Sequence, residues 1–166
     1  MAFLIVQTGG TIDKDYPRSF GGYAFEIGEP AAPRVLKLGR VSFEYASCTV
    51  CRKDSQELTD ADREKILQTC LEAKQKKILV THGTDTMIQS ALYLNKTAEK
   101  CEKIIIFTGA MKPEKFRDSD AQFNVGLAVG AMQVIEKPGA YVAMNGNVFH
   151  SSKVTRNRDT GIFCTI

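Results

Sequence analysis

No run of apolar residues in the chain approaches the roughly eighteen that a membrane-spanning helix needs. The opening residues "MAFLIVQTGG" carry neither a charged leader nor a long apolar core. Membrane partners and a secretory signal are therefore not expected, and the cytoplasm is the expected location. Clustered basic charge is equally scarce. Net charge is +3 from 22 basic and 19 acidic residues, and the densest basic runs, "KQKK" at 74–77 and "KVTRNR" at 153–158, are too short for a nucleic-acid footprint. Disulfide pairing is not expected either. Five cysteines are an odd number in a chain long enough to bury roughly 70% of its unfolded surface without staples. Cys48 and Cys51 make a CxxC, but no second Cys or His pair stands beside it to complete a zinc site. Histidine is reduced to His82 and His150. Neither is assigned to catalysis, and His82 is expected to pack behind the turn that follows it.

What is present is an alternation of strand and helix patterns. Apolar runs of strand length recur at 2–7, 41–46, 77–81, 103–108 and 140–145, nearly continuous in the manner of strands buried on both faces of a parallel sheet. Between them, residues 59–74 open with a capping threonine and place Ile66, Leu67, Cys70 and Leu71 on one face. Residues 85–97 carry Met87, Ala91, Leu92 and Leu94. Residues 118–136 place Phe123, Leu127, Ala131 and Val134 along one side, with Gly126 and Gly130 allowing close approach to a sheet. This order predicts one doubly wound α/β domain over residues 1–166, a mostly parallel sheet flanked by helices in three layers. One segment breaks the pattern. Residues 14–33 hold three prolines and three glycines with no sustained period, and a loop of that length beside a glycine turn is expected to act as a lid.

In an open α/β sheet, ligands bind beyond the carboxyl ends of the strands. Three strands here end in small or polar residues: "TGGTI" from Thr8, "THGTDT" from Thr81 and "TGAMKP" from Thr108. One shared site is implied, with Gly10, Gly83 and Ala110 in its turns, and the hydroxyls of Thr8 and Thr11 are each able to donate, accept or attack there. Asp85, beside Thr84, is suited either to orient a ligand amine and assist acyl transfer or to cap the next helix.

Together with "DSQELT" at 54–59 and "DAQFN" at 120–124, these motifs resemble the bacterial-type L-asparaginase family over nearly the whole chain. The resemblance implies hydrolysis of L-asparagine to aspartate and ammonia, with no metal and no organic cofactor. It implies Thr11 as nucleophile and Thr84 with Asp85 as the second threonine and its carboxylate. Asp85, Ser55 and Gln56 would hold the amino and carboxylate groups of the substrate, and Tyr16, with Tyr23 as competitor, would be the lid tyrosine. Family members carry a lysine after Val-Thr where this chain has Arg156. Arginine cannot give up its proton in a protein, so Lys153 is the expected amine and Arg156 a substrate contact. The family's second, C-terminal domain is expected to be absent, and a homodimer or higher homo-oligomer is expected to shield the site. Two alternatives stay open: a glutamine-preferring or ammonia-donating amidohydrolase, and a non-catalytic amino-acid-binding module.

Overall fold

The computed structural model describes residues 2–17, 21, 22 and 24–166. Its elements run β1 (Ala2–Gly9), β2 (Lys14–Asp15), β3 (Glu26–Ile27), α1 (Ala31–Leu38), β4 (Glu44–Lys53), α2 (Asp60–Glu72), β5 (Lys77–Thr81), α3 (Met87–Lys100), β6 (Ile104–Thr108), α4 (Ala121–Val134), β7 (Gly139–Met144), β8 (Asn147–His150), β9 (Val154–Arg156) and β10 (Phe163–Thr165). The main sheet has the order β4-β1-β5-β6-β7-β8. Its strands are parallel except β8, which returns antiparallel to β7. The chain leaves β1 for β4 on one side and then crosses to β5 on the other, so the strand order reverses between β1 and β5. That reversal opens a crevice at the carboxyl edge.

Alternate side chains of the buried strands feed two cores. Leu4, Val6, Ile78, Val80, Ile105 and Phe107 pack against Ile66, Leu67 and Cys70 of α2 and Met87, Ala91 and Leu94 of α3. Phe3, Ile5, Leu79 and Ile106 pack against α1 and α4. Three layers result, as the alternation of elements predicts. α2 begins where its capping threonine predicts, with Thr59 Oγ1 accepting from the Asp62 N–H and the Asp62 carboxylate accepting from the Thr59 N–H.

Several local expectations are corrected. β4 starts at Glu44 and runs ten residues to Lys53; as an edge strand it alternates rather than staying apolar. The final three residues of the irregular segment are already helix, since α1 starts at Ala31. Leu92 faces outward, 47% exposed. α4 is rotated from the orientation expected: Phe123 and Val134 point to solvent, Ala121, Val125, Ala128 and Met132 point inward, and Cβ atoms added at Gly126 or Gly130 would meet nothing. A helix apolar nearly all round does not reveal its inner face by periodicity. Asn124 fixes the rotation, because its buried amide donates to Gly109 O at 3.1 Å and to Asp120 Oδ2 at 2.9 Å.

Candidate active site

At the carboxyl edge three strand ends meet backbone to backbone. A Cβ added at Gly10 would lie 2.3 Å from Gly83 N, and one added at Gly83 would lie 2.7 Å from Ser55 Oγ. Gly10 also holds φ of 85°, a conformation that costs any residue with a side chain. Glycine at 10 and 83 thus allows the turn after β1, the turn after β5 and the turn after β4 to touch. Gly10 N–H donates to Lys53 O at 3.0 Å and locks the contact.

The two threonines of "TGGT" divide into scaffold and chemistry. Thr8 is fully buried, its hydroxyl donating to Thr81 O at 2.8 Å. Thr11 is half-buried at the start of a 3₁₀ turn over Thr11–Asp13, and among the described residues nothing holds its hydroxyl. It is free to meet a ligand.

Asp85, Gln56, Ser55 and Arg156 converge on one spot. Gln56 Nε2 donates to Asp85 Oδ2 at 2.7 Å, Arg156 Nη1 donates to Asp85 Oδ1 at 2.7 Å, and the Asp85 N–H donates to Ser55 Oγ at 3.2 Å. The Gln56 bond and then the Arg156 guanidinium hold the Asp85 carboxyl below the usual carboxylate range. Ser55 itself is fully buried, and its carbonyl accepts from the Thr86 hydroxyl at 2.7 Å. Thr84 is half-buried at the same turn. Arg156 is braced from behind, its Nε donating to Gly161 O at 2.9 Å and its guanidinium lying 5.6 Å from the Phe163 ring centre. Its Nη2 lies 3.8 Å from Met111 Sδ, beside the buried Ala110.

Two of the expected site residues share none of these bonds. Lys153 is exposed in the 3₁₀ turn that precedes β9, while Arg156 closes the other end of that strand, about 10 Å along the chain. Tyr16 is 72% exposed and stacks on Phe25 at 5.1 Å, which meets Phe116 at 5.8 Å. Tyr23 lies outside the described residues. Cys48 and Cys51 lie three residues apart on β4, and burial raises both thiols, Cys51 to about 11. Among the described residues no group of three or more His, Cys, Asp or Glu is arranged to hold a metal ion.

Sequence reasoning missed two buried networks. His82 does pack behind the turn, but as part of a chain. Arg63 Nε donates to Ser90 Oγ at 3.1 Å, Ser90 lies 2.8 Å from His82 Nε2, and His82 Nδ1 lies 2.7 Å from Gly83 O. A carbonyl only accepts, so Nδ1 carries the proton and Nε2 accepts from the Ser90 hydroxyl. Burial drives the His82 pKa down to about 4. The second network joins Gln7 and Asp13, both buried. Burial raises the Asp13 carboxyl to about 6, against the opposing bonds from Ala31 N–H and Gln7. A glutamine inside the apolar run "FLIVQ" was the available signal, since a buried amide needs partners.

Comparison with known proteins agrees with this geometry. The family model for the asparaginase N-terminal domain matches residues 2–163, and the chain belongs to that family. It is 31% identical to L-asparaginase 2 of Escherichia coli, over 95% of this chain and 47% of that protein. It is 29% identical to the probable periplasmic L-asparaginase of Haemophilus influenzae, with the same coverage of both. A glutaminase-asparaginase of Acinetobacter glutaminasificans is 25% identical over 92% of this chain and 49% of its own. Among solved structures, the thermostable L-asparaginase of Thermococcus kodakarensis superposes with a TM-score of 0.84 at 25% identity, covering all of this chain and 51% of that one. A probable cytoplasmic L-asparaginase of Campylobacter jejuni shares the fold, with a TM-score of 0.73 at 24% identity over 93% of this chain and 48% of its own. The chain spans about half the length of the curated relatives it matches.

Proposed function

We propose that this chain hydrolyses L-asparagine to L-aspartate and ammonia, as an amidohydrolase whose nucleophile is Thr11. The observation that carries the proposal is the meeting of the Thr11, Ser55 and Thr84–Asp85 turns at the sheet's switch point. There the unheld Thr11 hydroxyl stands one glycine away from the backbone contact that joins the turns. The Thr11 oxygen attacks the side-chain amide carbon. The C–N bond breaks, the departing nitrogen takes up protons to leave as ammonia, and water then cleaves the Thr11 ester to release aspartate. Strand-end N–H groups stabilise the tetrahedral oxyanion.

Asp85 and Gln56 receive the substrate ammonium, with Ser55, Gly10, Gly83 and Ala110 shaping the pocket floor and Tyr16, directly after β2, serving as the lid tyrosine. Thr84 acts in the second half of the reaction. Its charge partner is the Asp85–Arg156 pair, in which arginine stabilises charge without accepting a proton; an amine base at Lys153 would have to act from the far end of β9. The outer face of α4, where Phe123 is 63% and Val134 77% exposed, supports assembly as a homo-oligomer. No helix among the described residues is long and apolar enough to cross a membrane, and all five cysteines are free; we place the protein in the cytoplasm on the thiols.

Ammonia release from L-asparagine and L-glutamine, measured side by side on dialysed protein with and without chelator, tests the reading. Faster turnover of asparagine with no effect of chelation is expected. Tight amino-acid binding without ammonia release would favour a binding module instead.

A further inference from the structure

Asp13 lies two residues beyond Thr11 in the same 3₁₀ turn and is 1% exposed. Its oxygens take donors from two sides. Oδ1 accepts from the Ala31 N–H, the first residue of α1, at 2.7 Å, and Oδ2 accepts from Gln7 Nε2 on β1 at 3.0 Å. The Gln7 amide is locked in that orientation, because Nε2 also donates to Gly28 O at 2.9 Å while Oε1 accepts from the Thr49 hydroxyl at 2.8 Å. Turning it over would set acceptor against acceptor. Backbone bonds complete the clamp: Asp13 N–H to Gly10 O at 3.1 Å, Gly28 N–H to Asp13 O at 2.9 Å, and Glu114 N–H to Ile12 O at 3.1 Å.

We propose that Asp13 is a positioning residue for Thr11: its carboxylate, bonded between the Gln7 amide and the start of α1, fixes the turn that presents the Thr11 hydroxyl at the carboxyl edge of the sheet. What Thr11 does rests on the hydrolase reading above; what Asp13 holds rests on the bonds alone. Both bonded neighbours are donors, so a proton added to the carboxyl must displace one of them or sit without a partner. The charged groups facing Asp13 are Arg34 on α1, which is paired with Glu114, and Arg52 on β4, which is paired with Glu29. Both cations favour the ionised form while burial opposes it, which brings the titration to about pH 6. A group whose folded pKa lies above its ordinary value leaves its buried place more readily when ionised, so opening of the clamp becomes easier as pH rises towards about 6.

The test combines steady-state kinetics and amide hydrogen exchange on wild type and Asp13→Asn between pH 5 and 8. In the variant, kcat for L-asparagine should fall about tenfold or more with KM little changed. Exchange at residues 13, 28 and 31 should quicken by about tenfold, with no comparable change in the strands of the main sheet. In wild type the same amides should lose protection, after correction for intrinsic rate, as pH rises from 5 to about 6, and level off above it. The wild-type arm needs no variant to fold. Protection at these amides that is indifferent to pH and to Asp13→Asn overturns the proposal, and so does a uniform loss of protection across the sheet, the mark of a merely structural role. Should wild type release no ammonia while its exchange follows Asp13, the clamp stands and the hydrolase reading falls.

Discussion

The turn from His82 to Thr86 separates two polar clusters of opposite character. Behind it, Arg63, Ser90 and His82 form a buried chain in which Arg63 Nε donates to Ser90, Ser90 to His82 Nε2 and His82 Nδ1 to Gly83 O, with the imidazole kept neutral. In front of it, Asp85, Gln56 and Arg156 form a charged cluster open to solvent, the Asp85 side chain 43% exposed. The buried chain cannot rearrange without stranding a polar group, so it suits a scaffold. The open cluster exchanges its bonds for those of a ligand at little cost, so it suits chemistry. Glycine at 83 joins the two.

The sharpest way to break the division is to attack the joint itself. Gly10→Ala forces a Cβ against Gly83 N and strains a left-handed φ, and should cost about 3 kcal/mol or more of stability with loss of turnover. Urea denaturation measures it, and a stability within 1 kcal/mol of wild type, roughly the scatter of ordinary substitutions, would mean the turns do not touch as described.

The clusters should then respond in opposite ways to truncation. Asp85→Ala is expected to lower turnover on the order of 10²-fold, with stability changed by about 1 kcal/mol at most because an exposed pair contributes little. Ser90→Ala should do the reverse, costing about 2 kcal/mol by leaving His82 Nε2 and Arg63 Nε without partners, while KM stays close to wild type. Parallel denaturation and kinetics on both variants give the answer. Equal patterns would erase the distinction between the clusters.

Acid titration offers a subtler separation. His82 has a folded pKa of about 4, below its ordinary 6.5, so the unfolded chain binds more protons in that window and stability falls as pH drops from about 6.5 to 4. Asp13 has a folded pKa of about 6, above its ordinary 3.8, so here the folded chain binds more protons and stability falls as pH rises from about 4 to 6. The two slopes oppose each other between pH 4 and 6 and partly offset there. Asp13→Asn should expose the His82 slope, up to about 1.4 kcal/mol per pH unit, in denaturation curves taken at half-unit steps.

The fold was legible because its strands are apolar runs closed by small-residue turns, and "TGGTI" and "THGTDT" named the edge where they end. Thr11, Ser55, Gln56, Thr84, Asp85 and Arg156 were expected from their motif positions, and the structure brings Ser55, Gln56, Asp85 and Arg156 together. What stayed hidden depends on direction rather than identity. The outer face of α4 could not be read from a helix apolar on every side, and the separation of Lys153 from Arg156 depends on β9 running as a strand between them. Asp13 drew no assignment from the sequence, because the Ala31 N–H that meets it comes from α1, eighteen residues on.

The smallest effect is expected at Lys153. Exposed and at the far end of β9, its replacement in Lys153→Met should leave the rate and its pH profile within about twofold of wild type, as for a surface change away from the site. A loss on the order of 10²-fold would restore the lysine as general base.

The most direct measurement of the central claim sets two threonines of one motif against each other. Ammonia release from L-asparagine is followed for wild type, Thr11→Ala and Thr8→Ala, each checked by thermal denaturation. Thr11→Ala should abolish turnover with an unchanged melting temperature, because nothing among the described residues holds that hydroxyl. Thr8→Ala should keep most of the turnover while losing about 1 kcal/mol through its broken bond to Thr81 O. Turnover that survives in Thr11→Ala would contradict the assignment of the nucleophile and the account built on it.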